Sequence, residues 1–196
     1  EMDITPVTMP DGTVVSTDDG PRAGVTLEAV SQLKPAFRPD GRVTAGNACP
    51  LNDGAAAVVV MSRKRAEELG IDPIARIIAS SVSALNPEIM GLGPIEAIKR
   101  VLARANMSMS DIDLVEINEA FAAQVIPSAD ELGIDMVDQL NVNGGAIALG
   151  HPFGQTGARI MTTLLNGLQD SDKTFGLESM CVGGGQGMAM IVERLN

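Results

Sequence analysis

The placement of glycine restricts the folding of this 196-residue chain more than any other feature of its sequence. Of its 21 glycines, two clusters stand out, at 144–154 and at 183–187. The first precedes ARIMTTLLNGL, whose apolar residues recur at helical spacing, and the second divides two strand-like runs, GLESMC and MAMIVERL. Glycine is costly inside helices and strands but free to turn sharply. Both clusters therefore read as bends between regular elements. Strand-like and helix-like runs alternate along most of the chain, which specifies a layered α/β fold of mixed type.

The remaining elements follow from punctuation. Residues 1–24, rich in Pro, Gly and Asp, read as an irregular arm or short hairpin. TLEAVSQL reads as a helix capped by Thr26 and ended by Pro35. The valine-dense run AAAVVVM at 55–61 suits a strand buried on both faces. Ser62 caps RKRAEEL and Gly70 stops it. ARIIASSVSA and DLVEI read as strands, and Pro94 opens the helix IEAIKRVLARA. EAFAAQVIPSADEL reads as a helix from Glu119 that Pro127 kinks or divides.

Composition excludes several function classes. A net charge of −11 opposes nucleic acid and anionic membranes. The basic residues are scattered, so an anionic ligand would need a basic patch outside this sequence. With two cysteines far apart and one histidine, neither a zinc site nor a disulfide framework is expected. Four phenylalanines and no Trp or Tyr shift the expectation from aromatic stacking to backbone loops and small polar groups. No apolar run of about 18 residues and no signal-like N-terminus appear, so a cytoplasmic location is the default expectation. The chain opens on Glu1 and reads as a piece of something longer. GGAIALG and GGGQG are not phosphate loops, because no GxxxxGK[ST] and no dinucleotide fingerprint accompany them.

Three segments place a reactive side chain beside a bend: VEINEAFAA (115–123), NGGAIALGHPFGQTGAR (143–159) and CVGGGQGMAM (181–190). By themselves they leave the roles open. His151 between Gly150 and Pro152 reads as a structural histidine or as a rigidly held acid–base group. Cys181 reads as a small buried hydrophobe or as a thiol facing the backbone N–H groups of Gly183 to Gly185. Asn118 reads as a helix cap, a role compatible with a site role. In order and combination, the three segments resemble the thiolase family, and the resemblance extends through TAGNACPLNDGAAAVVVMS (44–62) and MGLGP (90–94).

The resemblance implies a thiolase-like layered α/β fold with a mixed five-stranded sheet flanked by helices. Residues 25–62 would end the N-terminal domain and 63–196 would form the C-terminal domain. It implies CoA-dependent thiolysis or Claisen condensation of 3-ketoacyl-CoA. Cys181 would be the general acid/base, His151 and Asn118 the oxyanion site, with Gly183 as a further oxyanion donor. Cys49, Met90, Ala120 and Phe121 would bind substrate; Cys49 stands where serine is usual and Pro50 where glycine is, which questions any serine-type contact there. The acylated cysteine would lie on an N-terminal half outside this sequence. No cofactor is implied, because coenzyme A is a substrate, and the partners would be acyl-CoA, CoA, that N-terminal half and further copies in a homodimer or homotetramer. GHPFGQTGAR departs from the GHPIGASGAR and GHPLGCSGAR patterns, and degradative use, with acetoacetyl-CoA also accepted, is the favoured direction. Two other readings are a non-catalytic CoA-binding or scaffold subunit, expected to lose one of Asn118, His151 or Cys181, and a ketosynthase-type enzyme, which lacks CxGGG.

Overall fold

The computed structural model describes residues 3–196, so the first two residues of the expected arm lie outside the described residues. The rest of the arm forms a short hairpin of β1 (Val7–Thr8) and β2 (Val14–Val15). Three further signals, Thr26, Ser62 and Gly70, act as read. Thr26 accepts from the Ala29 N–H to cap α1 (Leu27–Ser31), and Ser62 accepts from Arg65 N–H to cap α2 (Arg63–Leu69). Gly70 closes α2 with φ 64°, a conformation that costs glycine little. α1 ends at Ser31, short of Pro35, so the proline is not its terminator.

The core is a mixed sheet of β3 (Ala75–Ala84), β4 (Leu114–Ile117), β5 (Phe175–Val182) and β6 (Gln186–Arg194), in the order β3-β6-β5-β4. β6 lies antiparallel to both β3 and β5, and β4 runs parallel to β5 from Leu114↔Gly176 to Ile117↔Ser179. Beyond β4, a single parallel bridge from Val115 to Leu140 occupies the fifth place. α3 (Gly93–Ala105) covers one face, where Ile98 and Val101 pack with Val115, Ile117, Leu177 and Ile191. α6 (Thr156–Asp170) covers the other, where Met161, Leu164 and Leu168 meet Leu114 and Val192. Each such fully buried aliphatic side chain contributes about 1.5–3 kcal/mol. α3 reaches the head of β6 because Gly93 and Gly187 lie backbone to backbone, where a Cβ on either would collide with the other strand's or helix's main chain.

Three expectations fail. The run 55–61 is not a doubly buried strand: residues 53–61 make no backbone–backbone hydrogen bond among the described residues, and Val59 and Val60 are 84% and 70% exposed. Its valines have the right propensity, but no partner strand lies beside it. Pro127 neither kinks nor divides its helix, α4 (Ala122–Leu132), which runs through it. Pro127 and Ala123 both face solvent, where water can satisfy the carbonyl that a proline at i+4 leaves free. That helix begins at Ala122, so Asn118 and Glu119 lie before it and Asn118 does not cap it. Inside the 144–154 loop a one-turn helix forms, α5 (Ala146–Leu149). No helix among the described residues is long and apolar enough to cross a membrane.

Candidate active site

The site is assembled at one end of the sheet, where the chain leaves β4, turns from β5 into β6, and enters α6. β4 delivers Asn118. Its N–H donates to Ser179 O at 3.0 Å, which places it beside β5 two residues before Cys181. Asn141 holds this strand end from the other side: Ile117 N–H donates to Oδ1, and Nδ2 donates to Ile117 O and to Glu119 Oε1, each at 2.9 Å. The other carboxylate oxygen of Glu119 accepts from Ile147 N–H at 3.1 Å. Glu119 therefore ties the β4–α4 turn to the loop that carries the histidine.

Cys49, Ala120 and Phe121 are neighbours. Cys49 N–H donates to Ala120 O at 3.1 Å, Ala48 bridges Phe121, and Ala122 N–H donates to Asn47 O at 2.9 Å. Phe121 stacks edge-on against Phe37 with centroids 6.0 Å apart. Met90, half-buried, sits in the 3₁₀ turn Pro87–Leu92, which also packs against the glycine bend at Gly185 and the side chain of Gln124. Gly183 is exposed, so its N–H is open to a ligand.

His151 is held on three sides. Gly150 adopts φ 93°, and a Cβ there would collide with the amide of Asn52, whose Oδ1 accepts from His151 N–H at 3.0 Å. The hydroxyl of fully buried Thr156 lies 2.7 Å from His151 Nδ1 and donates to Pro152 O at 3.0 Å. A hydroxyl has one proton, so Thr156 accepts from Nδ1–H and the Nε2 lone pair is left free. Phe153 packs on the imidazole with centroids 4.8 Å apart. Burial, and then the charge of Arg159, lower the histidine's proton affinity, so the ring is neutral near pH 7.

Asn118 is 1% exposed, yet neither Oδ1 nor Nδ2 has a hydrogen-bond partner among the described residues. Buried amides are rarely left so, and this one is free to hold a water or a ligand oxygen. Cys181 ends β5 and is 8% exposed, and burial, then the neighbouring Cys49, raise its pKa. The environment therefore works against ionisation of this thiol. Burial raises Cys49 as well.

Beneath these groups lie two carboxylates that no sequence argument singled out. Glu116 and Glu178 are register partners on β4 and β5, and burial pushes each up to about 8. Arg159 pulls Glu116 back down in part. Among the described residues no three His, Cys, Asp or Glu side chains converge to hold a metal. Sequence reasoning also missed Asn52, Glu119, Asn141 and Thr156. Asn52 sits in NDG and Asn141 two residues before NGG, turn signals that could have flagged them, whereas nothing marked Thr156. Two aromatic contacts lie among these segments, Phe37 with Phe121 and Phe153 with His151.

The segments that converge here are those on which the resemblance rested. Residues 71–194 match the thiolase C-terminal domain and residues 1–64 the thiolase N-terminal domain. The chain belongs to the thiolase family. It is 51% identical to an acetyl-CoA acetyltransferase of Thiocystis violacea, over 98% of this chain and 50% of the relative. Among solved structures, the acetyl-CoA acetyltransferase of Bacillus anthracis superposes with a TM-score of 0.94 at 48% identity, covering 97% of this chain and 49% of that one. Human mitochondrial 3-ketoacyl-CoA thiolase in complex with CoA superposes with a TM-score of 0.89 at 41% identity, over 97% and 48%. The chain thus spans about half the length of the thiolases it matches.

Proposed function

We propose that the whole protein is a thiolase, an acyltransferase that cleaves or forms 3-ketoacyl-CoA, with this chain supplying its acid–base and oxyanion groups. The observation that carries the reading is the histidine: Thr156 takes Nδ1–H, which leaves Nε2 as the free base, and on β4 the buried Asn118 amide has no partner among the described residues. In this reading a cysteine thiol on the N-terminal half gives its proton to Nε2 and attacks the substrate's keto carbon. Nε2–H and a water on Asn118 then face the oxygen that gains charge. The carbon–carbon bond breaks, the acyl group stays on the cysteine, and Cys181 gives its proton to the departing carbanion of acetyl-CoA. The Cys181 thiolate then takes the proton of the incoming CoA thiol, the CoA sulfur attacks the acyl group, and Nε2–H returns its proton to the cysteine that leaves.

In condensation the Cys181 thiolate removes the proton from acetyl-CoA, and Gly183 N–H faces the thioester oxygen. Burial raises the pKa of Cys181 and so favours the thiol, the form that the acid step of cleavage uses. The relatives named acetyl-CoA acetyltransferase support activity on acetoacetyl-CoA as well. The exposed valines of 55–61 are where the N-terminal half would supply the missing strand.

The test is Cys181→Ala in a protein containing both halves. Slow acylation of the other cysteine without thiolysis or condensation is expected. Label trapped on Cys181 in the wild type, or full turnover by the variant, would sink the assignment.

A further inference from the structure

The GHPFG loop departs from the patterns it resembles at one position, Phe153, where those patterns carry isoleucine or leucine. Its ring is 73% exposed, although aromatic burial is worth more than that of any aliphatic side chain. The ring cannot retreat. Gly150 is locked against Asn52, Pro152 packs beside Gly54, and Gln155 N–H donates to Pro152 O at 2.9 Å. The loop therefore holds an apolar ring outward, against the His151 imidazole, at the edge of a cleft of about 300 Å³ lined by Leu51, Asn52, Asp53, His151 and Phe153.

We infer that Phe153 is a specificity-determining residue of the acyl site, its ring forming the wall that the acyl chain of a 3-ketoacyl-CoA meets beside His151. The inference rests on the thiolase reading above. The contents of the cleft select the occupant. Leu51, 89% exposed, and Phe153 offer apolar surface, and the Asp53 carboxylate repels the phosphates of CoA. An uncharged hydrocarbon chain is what this surface accepts. A ring in this place shortens the space available, which favours short acyl groups.

The experiment compares acetoacetyl-CoA with 3-ketooctanoyl-CoA in thiolysis by wild type, Phe153→Ala, Phe153→Leu and Phe153→Trp, in a protein that also contains the nucleophile-bearing half, supplied in cis or in trans. The readout is the ratio of kcat/KM for the longer substrate to that for the shorter. Each additional buried methylene is worth roughly fourfold, so Phe153→Ala raises the ratio by about tenfold or more, Phe153→Leu raises it less, and Phe153→Trp lowers it. Melting curves exclude unfolded variants, and the leucine and tryptophan variants carry the test if alanine does not fold. A ratio constant within about twofold across the folded variants overturns the inference, even where both rates fall together, since the ring would then only support His151. A wild type that cleaves neither substrate overturns the thiolase reading itself, and with it the inference.

Discussion

Replacing Thr156 with valine tests whether the histidine is held as its geometry indicates. The two side chains have the same shape, and Thr156 is fully buried, so the change removes a hydroxyl with little change of volume. Two hydrogen bonds go, one of 2.7 Å from His151 Nδ1–H and one of 3.0 Å to Pro152 O. Each is worth about 1 kcal/mol net, and each buried partner left unpaired adds about 1–3 kcal/mol. Pro152 O keeps the N–H groups of Gln155 and Thr156, so the larger loss falls on the imidazole. The sum is about 3–5 kcal/mol, or a melting point lower by roughly 6–20 °C. Turnover falls further than folding, because the imidazole is then free to carry its proton on Nε2 and to rotate. General acid–base groups supply about a hundredfold to ten-thousandfold, so a loss on the order of 10- to 100-fold in kcat is expected. The assay is steady-state thiolysis with both halves present, beside thermal melting. Thr156→Ser restores the hydroxyl and is expected to recover most of the rate. If the valine variant melts early but turns over like the wild type, Thr156 is a structural residue and the tautomer argument fails.

Asn118→Ala is expected to cost roughly 10- to 1000-fold in turnover, the scale of losing one oxyanion donor, while folding survives. The side chain has no partner to lose, so a drop of many degrees in melting point with full activity per folded molecule would count against an oxyanion role. Glu116 and Glu178 make stability depend on pH. Their folded pKa values, about 8, lie above the ordinary carboxyl value of 4.5, so the folded state holds more protons between these limits. Stability is therefore greatest on the acid side of that window and falls as pH rises from about 5 through 8. Melting curves from pH 5.5 to 8.5 are expected to drop by several degrees in the wild type and to flatten in Glu116→Gln/Glu178→Gln. Equal slopes for the two would show that neither carboxyl binds a proton on folding.

Local signals were legible in the sequence because their causes are local. Ser62 and Gly70 delimit α2, and the glycines of 144–154 and 183–187 turn the chain where they were read to turn it. The reactive groups Asn118, His151 and Cys181 could be picked out because each stands beside such a bend. What surrounds them is set by segments remote in sequence. Thr156, five residues beyond His151, is the exception, a near neighbour that the turn at Pro152 brings back to the imidazole. Asn52 meets His151 across 99 residues, and Asn141 clamps Ile117 across 24. The same distance explains the errors. The valines of 55–61 have the composition of a buried strand, but a strand requires a partner, and none of the described residues provides one. The state of Cys181 was left open because a pKa is a property of surroundings: the sequence allowed a buried hydrophobe or a thiol facing backbone N–H groups, and packing near the end of β5 raises the pKa. Sequence therefore determined the order of elements and the identity of the chemical groups, since propensity, capping and turn formation act over a few residues. Only the tertiary structure decided how the backbone of His151 is anchored, which way the thiol shifts and which amide is left unpaired, because burial and hydrogen-bond satisfaction depend on contacts between distant parts of the chain.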